Sequence, residues 1–319
     1  MSKLIRLKLV KIKYTGDSIG DDIRVEIECL NFWLGLNKTI TKGSVASLNA
    51  EVGQFFADQD PYYLSMSIKV IERDLIFNDF GSKQVKIKID LRNNLAQTSI
   101  HEIIVSERRG SAPGKSTATF YVTIEAQVKE AIGFIPDTKD GWLVGHRDDI
   151  KEDASLPTYL KVRLDRVESK REYLTVLEGP LQGVHLWVSL NNQGKSYLLL
   201  DSSQTGPVFL TYSISKKTLR LKNKTYSTTD DPESPWKVGV YDIEIPDWPH
   251  PGGRNYPNVK YAKVWFRIGH SGARYLHTGR FSAGCITIVE QAKWDDLCVI
   301  LMKARKGDGK SVGALEVTE

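Results

Sequence analysis

The chain has 319 residues, of which 41% are hydrophobic, which is enough material for two or three globular cores. Its formal net charge is only +5, and basic residues alternate with acidic ones, so the composition argues against nucleic acid as a partner. The three cysteines show no spacing typical of a disulfide framework or a zinc site.

The N-terminal third alternates apolar and polar residues, as half-buried strands do. Met1–Lys13 alternates apolar with basic residues and lacks the continuous apolar core of a signal peptide, and no stretch is long enough to span a bilayer. We therefore expect a separate β-sandwich over residues 1–130. Its strands are predicted at residues 3–13, 22–30, 64–73, 84–90, 100–107 and 117–128.

Two acidic segments of this region are predicted to form loops at one end of the sandwich. They carry five carboxylates, on Asp17, Asp22, Glu72, Asp74 and Asp79. Calcium takes several oxygen ligands from flexible loops, although Asp also favours turns on its own account and Arg73 inside the cluster argues against a metal. The segments resemble loops of C2 domains, and this resemblance implies a C2-like fold with calcium as a cofactor.

Residues 131–204 are predicted to form a linker followed by a small SH3-like β-barrel. The linker is the polar, turn-rich stretch 137–157, and three short strands start near Tyr159, Tyr173 and Val184. His185 alternates with apolar neighbours in the last of these strands, so we expect it to face solvent.

The region after residue 204 reads as antiparallel strands followed by one helix. Alternating polarity predicts strands in 207–215, 218–222, 224–229 and 234–246, and an amphipathic helix is predicted over 294–305. The loop 247–257 between them is rich in proline, glycine and aromatic residues, so it could form one wall of a substrate groove. Cys29, in a strand, and Cys298, in the helix, are expected to be buried core residues.

The segment from Arg274 to Ile288 carries a histidine and a cysteine eight positions apart, His277 and Cys285. A catalytic cysteine attacks as the thiolate, so it needs a nearby base and a partly open polar pocket. Ser282 and Gly284 predict a sharp turn before the thiol. The glycine lets backbone N–H groups approach a reacting carbonyl, as an oxyanion hole requires.

Two histidines are candidates for the base. Ser271–Ala273 predicts a tight turn that places His270 at the end of a hairpin and His277 on the returning strand, close to Cys285. We therefore favour His277 as the base. His270 would then orient its neighbour, contact substrate or cap the turn.

The residues Ser282-Ala-Gly-Cys285-Ile-Thr287, with Leu276-His277-Thr278-Gly279 before them, resemble the active-site signature of YkuD-type L,D-transpeptidases. They are similar to a subgroup that includes interbacterial toxins acting on peptidoglycan. The resemblance spans roughly residues 205–319. Ala283 and Thr287 stand where many members carry histidine and arginine, and Arg274 or Arg280 could supply the missing positive charge.

The resemblance implies a C-terminal β domain, with one or two helices, that acts on peptidoglycan stem peptides through a thioester on Cys285. Catalysis would require no cofactor. Substrate contacts are expected from Arg274, Arg280, Tyr275, Trp236 and His250. Because no export signal is evident, the resemblance implies synthesis in the bacterial cytoplasm and delivery to the periplasm by a specialised secretion system. Such an effector toxin would have peptidoglycan as its target, and a secretion apparatus, an immunity protein or a membrane surface as partners.

Several alternatives stay open at this point. An amine acceptor gives transpeptidation or exchange, and water gives carboxypeptidase activity. The domain could instead be a non-catalytic wall-binding or assembly module, or a cysteine hydrolase or acyltransferase for another substrate. A catalytic Cys285 is expected to have a depressed pKa and to label rapidly, whereas a buried thiol such as Cys298 should label slowly.

Overall fold

The computed structural model describes residues 2–74, 78–109, 112–147, 149–192, 194, 196–200 and 204–319. These residues form a mainly β protein, as the sequence predicts, with 22 strands, one α-helix and two short 3-10 helices in the ranges described. The chain divides into two compact units, Met1–Ala131 and Ile132–Glu319. Within the same ranges, no helix is long and apolar enough to cross a membrane.

The first unit is a β-sandwich of two four-stranded antiparallel sheets, ordered β4–β1–β8–β7 and β3–β2–β5–β6. Its strands are β1 (Lys3–Gly16), β2 (Asp22–Cys29), β3 (Phe32–Thr39), β4 (Val45–Ala57), β5 (Tyr62–Glu72), β6 (Asp79–Ile89), β7 (Gln97–Arg109) and β8 (Ala112–Glu130). Alternate side chains of both sheets, such as Leu7 and Phe120 from one and Val25 and Ile68 from the other, form one apolar core. Cys29 is buried in it, as expected.

The second unit begins with a six-stranded antiparallel sheet in the order β11–β10–β14–β13–β12–β9. Its strands are β9 (Ile132–Phe134), β10 (Trp142–His146), β11 (Asp153–Pro157), β12 (Lys161–Glu168), β13 (Arg171–Val176) and β14 (His185–Ser189). The prediction of a linker was wrong for residues 142–146 and 153–157, because buried Trp142 and Leu156 hold β10 and β11 in the sheet. The division into three domains stays a prediction.

An eight-stranded sheet forms the rest of the second unit and is nearly closed, since a backbone bridge between Ile243 and Ile268 joins its two edges. Its strands are β15 (Val208–Ser213), β16 (Thr218–Leu221), β17 (Lys224–Thr229), β18 (Gly239–Glu244), β19 (Phe266–Arg267), β20 (Tyr275–Thr278), β21 (Ile286–Ile288) and β22 (Ser311–Thr318). Helix α1 (Trp294–Lys303) buries Trp294 and Cys298 completely. The 3-10 helices η1 (Pro251–Asn255) and η2 (Gln291–Lys293) lie in the connections.

Candidate active site

Strand β20 carries His277, and Cys285 directly precedes the neighbouring strand β21. The two strands are parallel, with His277 opposite Thr287. His277 and Cys285 are both buried, with 6% and 7% of their surface exposed.

The hydrogen bonds of His277 fix which ring nitrogen carries the proton. Nδ1 lies 2.8 Å from the backbone oxygen of Thr278, which can only accept, so Nδ1 donates. Burial lowers the pKa of His277 to about 4, against a smaller opposing effect of the Thr278 hydrogen bond, so the ring is neutral at pH 7. The lone pair is therefore on Nε2, where the Thr287 hydroxyl, 3.2 Å away, can donate to it.

The thiol is not hydrogen-bonded to this lone pair in the described residues. Cys285 Sγ lies 3.9 Å from the backbone oxygen of Ala273. Burial raises the pKa of Cys285, and the backbone hydrogen bond at Tyr275 and the charge of Arg274 offset this only in part. The depressed pKa expected of a catalytic Cys285 is therefore not found, because desolvation outweighs the nearby positive charge, and the raised pKa is the one expected of a buried thiol. The resting pair is a neutral thiol and a neutral imidazole.

This electrostatic balance predicts slow thiol labelling at neutral pH. Cys285 should react slowly with iodoacetamide at pH 7 and faster as the pH rises, because the thiolate is the reactive species. Removing the nearby charge in Arg274→Gln should slow labelling further, by roughly threefold. Peptide mass spectrometry against time measures both rates, with fully buried Cys298 as the internal control. Rapid labelling of Cys285 at pH 7 would contradict the raised pKa.

The turn before the thiol has the geometry that the sequence indicates. Gly284 has φ of 99°, a left-handed conformation that favours glycine. The Ser282 hydroxyl donates to the backbone oxygen of Cys285 at 2.7 Å, so it closes the turn. This contact leaves Ser282 with a positioning role at the nucleophile and leaves the Gly284–Cys285 backbone as the candidate oxyanion site.

Arg274 is the positive charge beside the thiol. Its Nη2 donates to the hydroxyl and the backbone oxygen of Ser234, at 2.6 and 3.2 Å, and its guanidinium lies 4.7 Å from the Trp236 ring centroid. A Cβ on Gly284 would lie 3.9 Å from Arg274 Nε, so the guanidinium borders the turn. Trp236 is buried beneath it, and Arg280 is exposed, with its backbone N–H donating to the Tyr256 hydroxyl at 2.9 Å.

The side chain of His270 is half-exposed, and each of its ring nitrogens is hydrogen-bonded to a carboxylate. Nδ1 lies 2.8 Å from Glu244 Oε1 and Nε2 lies 2.9 Å from Asp242 Oδ2. These hydrogen bonds raise the pKa of His270 above its ordinary value. Carboxylates only accept, so both ring nitrogens of His270 donate and neither keeps a lone pair. Nε2 of His277 keeps one, so this geometry favours His277 over His270 as the base.

His250 lies in a stack of rings behind His277. Its ring is 4.4 Å from Trp265 at an interplanar angle of 3°, and Trp265 is 3.9 Å from His277 at 12°. His250 is buried, and Tyr275 beside it is also buried. Both residues hydrogen-bond to the carboxylate of Asp247, His250 through Nε2 at 3.0 Å and Tyr275 through its hydroxyl at 3.1 Å.

Sequence reasoning missed four groups at this site: the Thr278 backbone oxygen, the Thr287 hydroxyl, Trp265 and Asp247. The two threonines were detectable, since Thr278 follows His277 and Thr287 lies two positions beyond Cys285. No local pattern indicates that Trp265 stacks on His277 or that Asp247 binds His250.

The acidic residues of the first unit are only partly brought together. Ligand atoms of Glu72, Asp74 and Asp79 lie within 4.8 Å of one another. Asp22 faces Arg73, at 3.9 Å, and Asp17 accepts a hydrogen bond from the Thr117 backbone at 2.9 Å. Burial, with the neighbouring charges of Asp74 and Asp79, raises the pKa of Glu72 to about 7. Its Oε2 is buried and has no hydrogen-bond partner among the described residues.

No protein-family model matches the chain, and no curated protein matches it in sequence. Among solved structures, the chain is similar to human GIVD cytosolic phospholipase A2, at 12% sequence identity and a TM-score of 0.24. The match covers 59% of this chain and 30% of the phospholipase chain, so the chain spans under a third of that protein's length. A TM-score this low does not establish a common fold.

Proposed function

We propose that the C-terminal site is a cysteine acyltransferase of the L,D-transpeptidase type that acts on peptidoglycan stem peptides. One observation carries the proposal: His277 is neutral, its proton is held on Nδ1 by the Thr278 carbonyl, and its strand pairs in parallel with β21, which Cys285 directly precedes. A nucleophile, a base and an acceptor that orients the base are the parts of a catalytic triad. The motif around Cys285 supplies the substrate class.

The first half-reaction moves a proton and forms a thioester. As Cys285 Sγ attacks the carbonyl of a stem-peptide residue, its proton passes to His277 Nε2. The S–C bond forms, the C–N bond breaks, and the His277 imidazolium returns the proton to the leaving amine. Because the thiol starts neutral, proton transfer accompanies the attack. Backbone N–H groups at Gly284–Cys285 stabilise the oxyanion.

The second half-reaction regenerates the thiol. An acceptor amine or a water molecule loses a proton to His277 Nε2 and attacks the thioester carbonyl, and the S–C bond breaks. An amine gives transpeptidation or exchange, and water gives carboxypeptidase activity. Arg274, beside the turn, is placed to hold a substrate carboxylate, which its planar guanidinium suits.

Product analysis tests this function. The full chain is incubated with a disaccharide-tetrapeptide, with and without a free D-amino acid, and the products are identified by mass. The expected result is loss or exchange of the terminal D-residue by the wild type. If the fragment stays intact in every condition but still binds the protein, the result supports a non-catalytic wall-binding module.

We also propose that the protein is an antibacterial effector, since its motif is similar to that of interbacterial toxins. Its route would be synthesis in the bacterial cytoplasm and delivery by a specialised secretion system, and the producing cell would need an immunity protein. Directing the chain to the periplasm of a test bacterium should be toxic. If neither the wild type nor Cys285→Ala is toxic in the periplasm, the proposal of an effector role loses its main support.

A second proposal concerns the first unit: Glu72, Asp74 and Asp79 bind calcium. The buried Glu72 Oε2 without a hydrogen-bond partner in the described part of the chain favours it, and an all-carboxylate donor set suits a hard cation. In this scheme Asp22 stays paired with Arg73 and Asp17 remains a loop contact.

The raised pKa of Glu72 predicts how stability changes with pH and calcium. A carboxyl group whose pKa rises from 4.5 to about 7 on folding stabilises the protein below pH 4.5, and this stabilisation is lost as the pH rises to 7. Calcium should raise the midpoint of thermal unfolding at pH 7.5 by a few degrees and have a smaller effect at pH 5. Glu72→Gln should abolish the calcium shift, while Asp17→Asn retains it. An equal calcium shift in Glu72→Gln would overturn the site.

A further inference from the structure

The His277 imidazole is held on its edge and on its face by different residues. Its edge makes the hydrogen bonds to Thr278 and Thr287, and its face lies against Trp265. Hydrogen bonds at the two nitrogens resist rotation of the ring about its Cβ–Cγ bond, but they allow small tilts because this torsion is broad. A flat surface 3.9 Å away restricts these tilts.

Trp265 is itself fixed from three directions. Its indole Nε1–H donates to the backbone oxygen of Ala262 at 3.0 Å. Its other face stacks on His250, nearly parallel. The edge of the Trp265 indole lies against Gly252 in η1, where a Cβ on Gly252 would come within 3.0 Å of Trp265 Cζ2.

His250 is anchored in turn by a buried polar cluster around Asp247. The carboxylate accepts from His250 Nε2 at 3.0 Å, from Arg267 Nη2 at 2.9 Å and from the Tyr275 hydroxyl at 3.1 Å. Burial works to raise the pKa of Asp247, but the hydrogen bonds from His250 and the Trp248 N–H outweigh it, so this pKa lies below its ordinary value. The carboxylate is therefore ionised and able to fix the His250 ring.

We propose that His250 and Trp265 are positioning residues that hold the His277 ring in its reactive orientation through ring stacking. This proposal rests on the proposed function, in which His277 is the base, and it gives His250 a role other than substrate contact. A base misplaced by a fraction of an ångström loses overlap with the proton it removes, so the effect should fall on kcat and leave KM nearly unchanged.

Two variants of His250 separate stacking from hydrogen bonding. His250→Phe keeps a flat ring against Trp265 but loses the bond to Asp247, whereas His250→Gln keeps a donor for Asp247 but has no ring. The first readout is the proton NMR shift of the His277 ring, which the stacked indole displaces upfield. This readout needs no substrate, so it is independent of whether the peptidoglycan reaction occurs.

The expected result is that His250→Gln loses roughly half of the upfield displacement and about tenfold in kcat, with KM within about twofold of the wild type. His250→Phe should retain the displacement and stay within about threefold in kcat. An unchanged His277 shift in His250→Gln overturns the proposal. The proposal is also overturned if both variants lose kcat equally while the His277 shift is retained in both. The loss of kcat would then have a cause other than stacking.

Gly252→Ala provides the second test if His250→Gln does not fold. The added methyl leaves the Asp247 cluster intact and pushes on Trp265, so the His277 shift should move and kcat should fall. An unmoved shift with wild-type kcat overturns the proposal. If the wild type shows no Cys285-dependent activity, the proposed function fails, while the NMR shifts still decide whether the stack holds His277.

Discussion

Cys285→Ala is expected to reduce turnover of a disaccharide-tetrapeptide by at least about 10⁴-fold, because no other group in the mechanism forms the covalent intermediate. The thiol is buried beside Gly284, and its replacement by hydrogen in alanine removes one sulfur atom without adding bulk. The fold should therefore survive, and the thermal unfolding midpoint should change by only a few degrees. Product formation against time, by chromatography and mass, measures the effect.

Cys298→Ala is the matched control for this variant. It also removes one buried thiol, but from helix α1, away from the turn. Its turnover per folded molecule should equal that of the wild type. If Cys285→Ala keeps more than about a hundredth of wild-type turnover, a covalent role for the thiol is wrong.

His277→Ala is expected to lower kcat about 10³-fold, within the range that general acid–base catalysis contributes. Burial lowers the pKa of this histidine to about 4, so the ring is already neutral above about pH 5. Protonation of His277 should therefore cause no fall in kcat between pH 8 and pH 5. A decline on the acidic side should begin only as the pH approaches 4.

His270→Ala is the matched histidine control, since both ring nitrogens of His270 are bound by carboxylates. It should retain kcat within a fewfold range of the wild type. The reverse order of effects, with His270→Ala the more damaging variant, would move the base to His270. Steady-state kinetics of both variants across pH 4–8 distinguishes the two cases.

Strands and helices with strong periodicity could be predicted from the sequence. The amphipathic run predicted over 294–305 is helix α1, and the alternating run 224–229 is strand β17. In the second unit, strands β9, β10, β11 and β22 were missed, and β22 lies inside its sheet, between β18 and β15. In the first unit, strands β3 and β4 were missed. Both lie at sheet edges, where one side of the strand has no partner and the apolar alternation is weak, as in the half-exposed pattern of β3.

The nucleophile and base candidates could also be chosen from the sequence, because His277 lies in β20 and Cys285 directly precedes the adjacent strand β21 after a short connection. The pKa values of these two residues could not be predicted from the sequence. The raised pKa of Cys285 and the lowered pKa of His277 both arise from burial, which depends on residues distant in sequence. The Trp265 stack and the Asp247 cluster depend on how the loop after β18 packs against β20, and no local periodicity encodes such packing.

The most direct test of the account is the intact mass of the protein after brief incubation with a disaccharide-tetrapeptide. The account predicts a wild-type adduct equal to the donor minus its leaving D-residue, localised to Cys285 by peptide mapping and released by hydroxylamine, as a thioester is. The adduct should be absent from Cys285→Ala. Donor turnover without this adduct, or an adduct on a residue other than Cys285, would contradict cysteine acyl transfer at this site.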